Sequence, residues 1–169
     1  MKILIFTEGT AIMHAAGVGV SREERVRQSA ENVSGVDNFR SYVPNGGVVQ
    51  KLNRWKEQGA EIYYLTSRTK QWEIEDVRLV LEENDFPQLN NLLYRKEGQE
   101  YKDVAEELMP DVLIEDDCES IGGEKEMTYP HIDPVIKPKI RSVVAGIDDL
   151  PNELSGLSSI EGKTFSKEQ

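Results

Sequence analysis

The chain has 169 residues, 38% of them hydrophobic, with 20 Lys and Arg against 31 Asp and Glu, for a net charge of −11. At about 100–200 residues per domain, that length predicts one domain. The negative charge excludes a general nucleic-acid polymer or an anionic membrane surface as partner, because both need clustered cations, and no apolar run approaches the ~20 residues that span a bilayer.

Lys2–Phe6 is a continuous apolar run, the pattern of a strand buried on both faces. Thr7 and Glu8 interrupt it too early for a secretory h-region of about 7–15 residues. With the single cysteine, Cys118, this predicts a cytoplasmic protein without disulfides. Residues 11–45 are mixed. Ser21 and Glu24 have capping-box spacing and open a helix to about Ala30. After Asn45-Gly46-Gly47, the recurrence of Val48, Leu52 and Trp55 gives one apolar helical face, which Gly59 ends. Ile62–Leu65 reads as a second buried strand. Ile74, Val77 and Leu81 mark the next helix, which ends before Pro87. Leu92–Tyr94 is a short third strand, Val104 and Leu108 belong to a further helix, Val112–Ile114 is a fourth strand and Ser142–Val144 a fifth. Strands alternating with helices predict an α/β fold, a three-layer, mainly parallel Rossmann-like sheet. The expected organisation is one α/β domain over 1–155, carrying a small insert at 11–45, and a polar C-terminal tail over 156–169.

In an open parallel sheet, ligands sit beyond the carboxyl ends of the strands. Thr7, Glu8, Gly9 and Thr10 follow the first strand, Thr66, Ser67 and Arg68 the second, and Glu115, Asp116 and Asp117 the fourth. Lys102 opens the helix that leads to the fourth strand. Hydroxyls, cations and carboxylates on one rim suggest a Mg²⁺ and phosphate site: hard oxygen ligands suit Mg²⁺, and hydroxyls, backbone N–H groups and cations hold phosphate oxygens. Taken alone, Glu115–Asp117 reads equally as a solvated acidic turn, and Arg68 as an ion-pair partner of the rim.

The order of these strand ends resembles the haloacid dehalogenase-like superfamily of phosphohydrolases. The resemblance covers about residues 1–10 and 46–123. Ile3-Leu4-Ile5-Phe6-Thr7-Glu8-Gly9-Thr10 corresponds to the first motif, four apolar residues and then Asp-x-Asp-Gly-Thr. Ile62–Leu65 followed by Thr66, Ser67 and Arg68 corresponds to the second motif. Lys102, with Lys96 as the second choice, corresponds to the third, and Val112–Ile114 followed by Glu115, Asp116 and Asp117 to the fourth. The resemblance implies Glu8 and Lys102 as catalytic groups. It implies Thr7, Gly9, Thr66, Ser67 and Arg68 as phosphate holders, and Glu8, Glu115, Asp116 and Asp117 as Mg²⁺ ligands.

The chain departs from the family at one decisive position. Aligned on Gly9-Thr10, the nucleophilic Asp falls on Phe6, which cannot form an aspartyl-phosphate. Sliding the alignment to make Glu8 the nucleophile loses the Gly-Thr turn. Three readings follow. The first is a phosphatase-like protein that binds Mg²⁺ and a phosphorylated small molecule or nucleotide, with covalent catalysis impaired. The second is a metal-dependent phosphohydrolase in which Glu8 activates water. The third is a non-catalytic interaction domain. Within the insert, His14, Arg22, Arg25 and Arg40 are the candidate substrate contacts. The segment from Glu119 to His131 reads as a long loop of either functional or connecting character.

Overall fold

The computed structural model describes residues 1–31, 38–119 and 121–160. Its strands and α-helices run β1 (Lys2–Phe6), β2 (Ile12–His14), α1 (Arg22–Ala30), β3 (Tyr42–Pro44), α2 (Val48–Glu57), β4 (Glu61–Leu65), α3 (Gln71–Glu83), β5 (Leu92–Leu93), α4 (Tyr101–Leu108), β6 (Val112–Glu115), β7 (Arg141–Val144) and α5 (Leu154–Leu157). Five strands form one parallel sheet in the order β5-β4-β1-β6-β7. Phe6 lies opposite Leu65 on one side of β1, and Ile5 opposite Ile114 on the other.

Burial on both faces explains the unbroken apolar strands. Ile3 and Ile5 of β1 pack with Val48, Leu52 and Trp55 of α2 and with Ile74, Val77 and Leu81 of α3. Leu4 points the other way, into a cluster with Val104 and Ala105 of α4, Leu113, Ile132 and Ile140. The alternation therefore sorts one strand between two cores, and the architecture is the expected three-layer α/β fold. The chain steps outward from β1 through β4 to β5, then returns to the far side of β1 for β6 and β7. In open α/β sheets such a reversal, here at the carboxyl end of β1, is where a ligand crevice forms.

Ser21 does cap α1: its Oγ accepts the Glu24 N–H at 3.2 Å. Two features depart from the sequence reading. The ends of the insert pair as an antiparallel ribbon, β2 with β3, which brings His14 opposite Tyr42. Three-residue strands so far apart in sequence leave no usable period. The first residues of the polar C-terminal stretch, 156–160, are packed onto the domain. Leu157 is fully buried, Ile160 packs on the core, and Arg141 donates to the Ile160 carbonyl at 2.5 Å. Residues 161–169 lie outside the described residues, as does the 32–37 stretch of the insert.

Candidate functional site

The site is built on the first residues beyond β1 and β4. Thr7 continues the ladder through its N–H to the Leu65 carbonyl at 3.0 Å, and both Thr7 and Thr66 are fully buried. Their hydroxyls point at one carboxylate. Thr66 Oγ1 donates to Glu8 Oε1 at 2.5 Å, and Thr7 Oγ1 to Glu8 Oε2 at 2.5 Å. The Ser67 N–H adds a third bond to Glu8 Oε2 at 3.1 Å, and Arg68 Nε stands 3.9 Å from Oε1.

Arg68 is held in position from three directions. Its backbone N–H donates to Thr66 Oγ1 at 3.1 Å, and its guanidinium donates to Ser67 Oγ from Nε (3.0 Å) and from a terminal nitrogen (2.7 Å). The insert supplies the third: the Phe39 ring lies under the guanidinium, 4.3 Å from centroid to Cζ. A guanidinium stacked this way keeps its donor fork aligned for a planar or tetrahedral anion.

Gly9 joins this cluster to the other side of the crevice. Its φ of +84° is in the left-handed region, and a Cβ there would lie 2.7 Å from Asp116 Oδ2. Only glycine lets the loop after β1 approach the end of β6 so closely. Gly9→Ala is expected to cost about 1–2 kcal/mol from backbone strain and forced movement of Asp116. Denaturant unfolding checks this, with Gly59→Ala as the comparison: it is equally left-handed, with nothing within 4 Å of its Cβ.

The remaining acids have other partners. Glu115 is buried, and both its oxygens hold the following loop: Oε2 accepts the Thr128 N–H at 2.7 Å and Oε1 the Tyr129 N–H at 2.9 Å. Burial pushes its carboxyl above the usual carboxylate range, and the two backbone bonds oppose that shift. Asp116 Oδ1 accepts the Cys118 N–H at 3.2 Å and its thiol at 3.3 Å, while Asp117 Oδ1 accepts the Glu119 N–H at 3.2 Å. Burial and the Asp116 carboxylate push the Cys118 thiol far up, so it is no nucleophile.

The four acids expected as magnesium ligands each have partners within the chain. Among the described residues no three His, Cys, Asp or Glu groups are gathered as for a metal ion. Glu8 accepts two hydroxyls and an N–H, and Glu115 accepts two backbone N–H groups.

Lys102 does not join the cluster either. It pairs with Glu100 at 3.3 Å, and that partner raises its pKa. The cation that does approach is Arg95, just beyond β5, which the sequence reading missed. It donates to the Ser67 carbonyl at 3.4 Å and stacks on Tyr101 at 4.0 Å. Tyr101 in turn meets the Phe6 ring edge-on at 5.1 Å. Phe6, at the expected nucleophile position, is therefore an aromatic packing residue. Burial foremost pushes the Tyr101 phenol up, so it stays neutral at ordinary pH. Beside Arg95 a cavity of about 380 Å³ opens, lined by Thr69, Arg95, Lys96, Glu97, Gly98 and Gln99.

The insert's other candidates point elsewhere. Arg25 reaches Met13 Sδ and Asn45 Oδ1, and Arg40 pairs with Glu83 of α3. His14 is buried beside Tyr42, and burial followed by the nearby Arg25 lowers its pKa. The Arg22 side chain is outside the described residues. His131 is exposed and contacts the Lys125 carbonyl.

No protein-family model matches the chain, and no curated protein sequence matches it. Among solved structures it is similar to the class C acid phosphatase from Bacillus anthracis, solved with tungstate bound. The TM-score is 0.53 and the identity 13%, over 86% of this chain and 65% of that one. The chain thus spans just under two thirds of that phosphatase's length. A HAD-family hydrolase from Deinococcus radiodurans R1, solved with bound phosphate and sodium, aligns at TM-score 0.49 and 10% identity, over 96% of this chain and 98% of that one. The likeness to the phosphatase establishes the fold: a parallel α/β sheet of the kind that enzyme has. Among the described residues no helix is long and apolar enough to cross a membrane.

Proposed function

We propose that this chain is a phosphatase-like protein that binds a phosphorylated small molecule or nucleotide at the crevice beyond β1 and β4, without forming a phosphoenzyme. The observation that carries the reading is the convergence of the Thr66 hydroxyl, the Ser67 N–H and the Arg68 guanidinium on a single anionic group. These are the residues that the family resemblance gives to phosphate. In this crevice Thr66 and Ser67 orient a phosphate oxygen, and Arg68, stacked on Phe39, balances its charge. The 380 Å³ cavity at Arg95 and Lys96 takes the organic part of the ester.

Phe6 offers no oxygen to attack phosphorus, so no covalent step is available at its position. The alternative, Glu8 as base for an attacking water, is disfavoured because its oxygens already accept from Thr7, Thr66 and Ser67. Magnesium has no part in this reading.

The test is a thermal melt with a turnover assay beside it. Inorganic phosphate at ten times its Kd is expected to add about 1.4 kcal/mol, which is roughly 4 °C for a chain of this size. Magnesium chloride alone is expected to leave the midpoint unmoved, and p-nitrophenyl phosphate is expected to show no turnover above buffer. A chain that melts identically with and without phosphate contradicts the proposal. So does phosphate release that Thr66→Val abolishes.

A further inference from the structure

We infer that Glu8 is an internal competitor, a carboxylate of the chain itself that sits in the anion seat and must leave before an external oxyanion can enter. The inference rests on the phosphate-binding reading above and adds what controls that seat. In the chain alone, no donor of the seat is idle. The Thr66 hydroxyl and the Ser67 N–H each have Glu8 as acceptor, and the Thr7 hydroxyl bonds the same carboxylate. Arg68 adds its charge at 3.9 Å. A carboxylate and one edge of a phosphate offer the same pair of oxygens to such donors. The two cannot be held by them together, because both are anions.

Chain chemistry makes the occupation possible. Glutamate has one methylene more than aspartate, and that extra reach lets a carboxylate two residues beyond β1 touch the end of β4. Glu8 is on a turn and not inside a strand, bridged only to Ile12, so its side chain can swing without breaking the sheet. The seat then behaves as a two-state site. The affinity for an external anion falls by the fraction of time that Glu8 leaves the donors free.

The test is titration calorimetry of inorganic phosphate into the whole chain and four variants, Glu8→Ala, Glu8→Gln, Thr66→Val and Glu8→Ala with Thr66→Val. If Glu8 fills the seat nine-tenths of the time or more, Glu8→Ala binds phosphate at least about tenfold more tightly than the wild type. Glu8→Gln, which keeps the shape and loses the charge, falls between the two. Acetate, a detached copy of the lost carboxylate, competes with phosphate in Glu8→Ala. Glu8→Ala together with Thr66→Val loses the gain, which separates emptying the seat from a general drop in negative charge. Circular dichroism confirms that each variant is folded, and Glu8→Gln carries the comparison if Glu8→Ala is not. If phosphate binds the wild type and both Glu8 variants alike, while Thr66→Val weakens it, the competitor role is overturned and the phosphate reading survives. If phosphate binds neither the wild type nor any Glu8 variant, both are overturned.

Discussion

Glu115→Ala is expected to lower the stability of the fold by about 3 kcal/mol, and the melting temperature by roughly 9 °C. The carboxylate is 2% exposed and accepts two backbone N–H groups, from Thr128 and Tyr129. Removing it leaves the buried Thr128 N–H and the half-buried Tyr129 N–H without this acceptor, at up to about 1–3 kcal/mol each. The relief of no longer burying a charge offsets part of that loss. Glu115→Gln keeps one acceptor and is expected to lose less. The pH dependence has a definite sign. The folded pKa lies above the unfolded one, because burial disfavours the charged form. The favourable contribution is therefore complete at pH values below the ordinary carboxylate range, and it is lost as pH rises through the raised folded value. The stability gap between wild type and Glu115→Gln should narrow as pH goes from acid to neutral. Urea midpoints at a series of pH values measure it, and a gap that widens with pH refutes the assignment.

Trp55→Ala is expected to have the larger effect, about 4 kcal/mol, or roughly 12 °C. Trp55 is fully buried on the inner face of α2, among residues that pack β1 and β4. Its indole N–H donates to the Pro151 carbonyl at 3.1 Å, tying the helix to the segment that follows β7. Truncation leaves a large cavity and an unpaired carbonyl together. Trp72→Ala is the control: that side chain is 61% exposed, with Lys70 over its ring, and the expected change is within about 0.5 kcal/mol. Equal losses at the two tryptophans would contradict the packing.

Period and alternation made most of this fold legible. Val48, Leu52 and Trp55 mark the inner face of α2 because every third or fourth residue returns to the core. Strand runs such as Ile62–Leu65 stand out because a sheet covered on both faces tolerates no polar interruption. The hairpin of β2 and β3 was not legible, since three-residue strands joined across the insert carry no period.

At the site, Glu8, Thr66, Ser67 and Arg68 could be read from their position just after buried strands. Other roles depend on side-chain direction. Glu115 is the last residue of β6 and shares its face with Leu113, so alternation turns it toward the loop at 128–129 and away from the crevice. Lys102 is one residue beyond Tyr101, and a helix rotates about 100° per residue. The ring of Tyr101 therefore meets Phe6 and Arg95, while the ammonium turns to Glu100. Arg95 directly follows the Leu92–Tyr94 run, so the strand-end rule that marks Thr66 and Glu115 marks it too, although β5, only two residues long, gives the weakest strand signal of the sheet.

The central claim is that the Thr66, Ser67 and Arg68 donors form an oxyanion seat. Its most direct test is a phosphorus NMR titration of inorganic phosphate with the wild-type chain and with Arg68→Ala. A phosphate resonance that shifts or broadens saturably with the wild type, and much less with Arg68→Ala, is the predicted result. A resonance unmoved by the wild-type chain, or moved equally by both proteins, would contradict it.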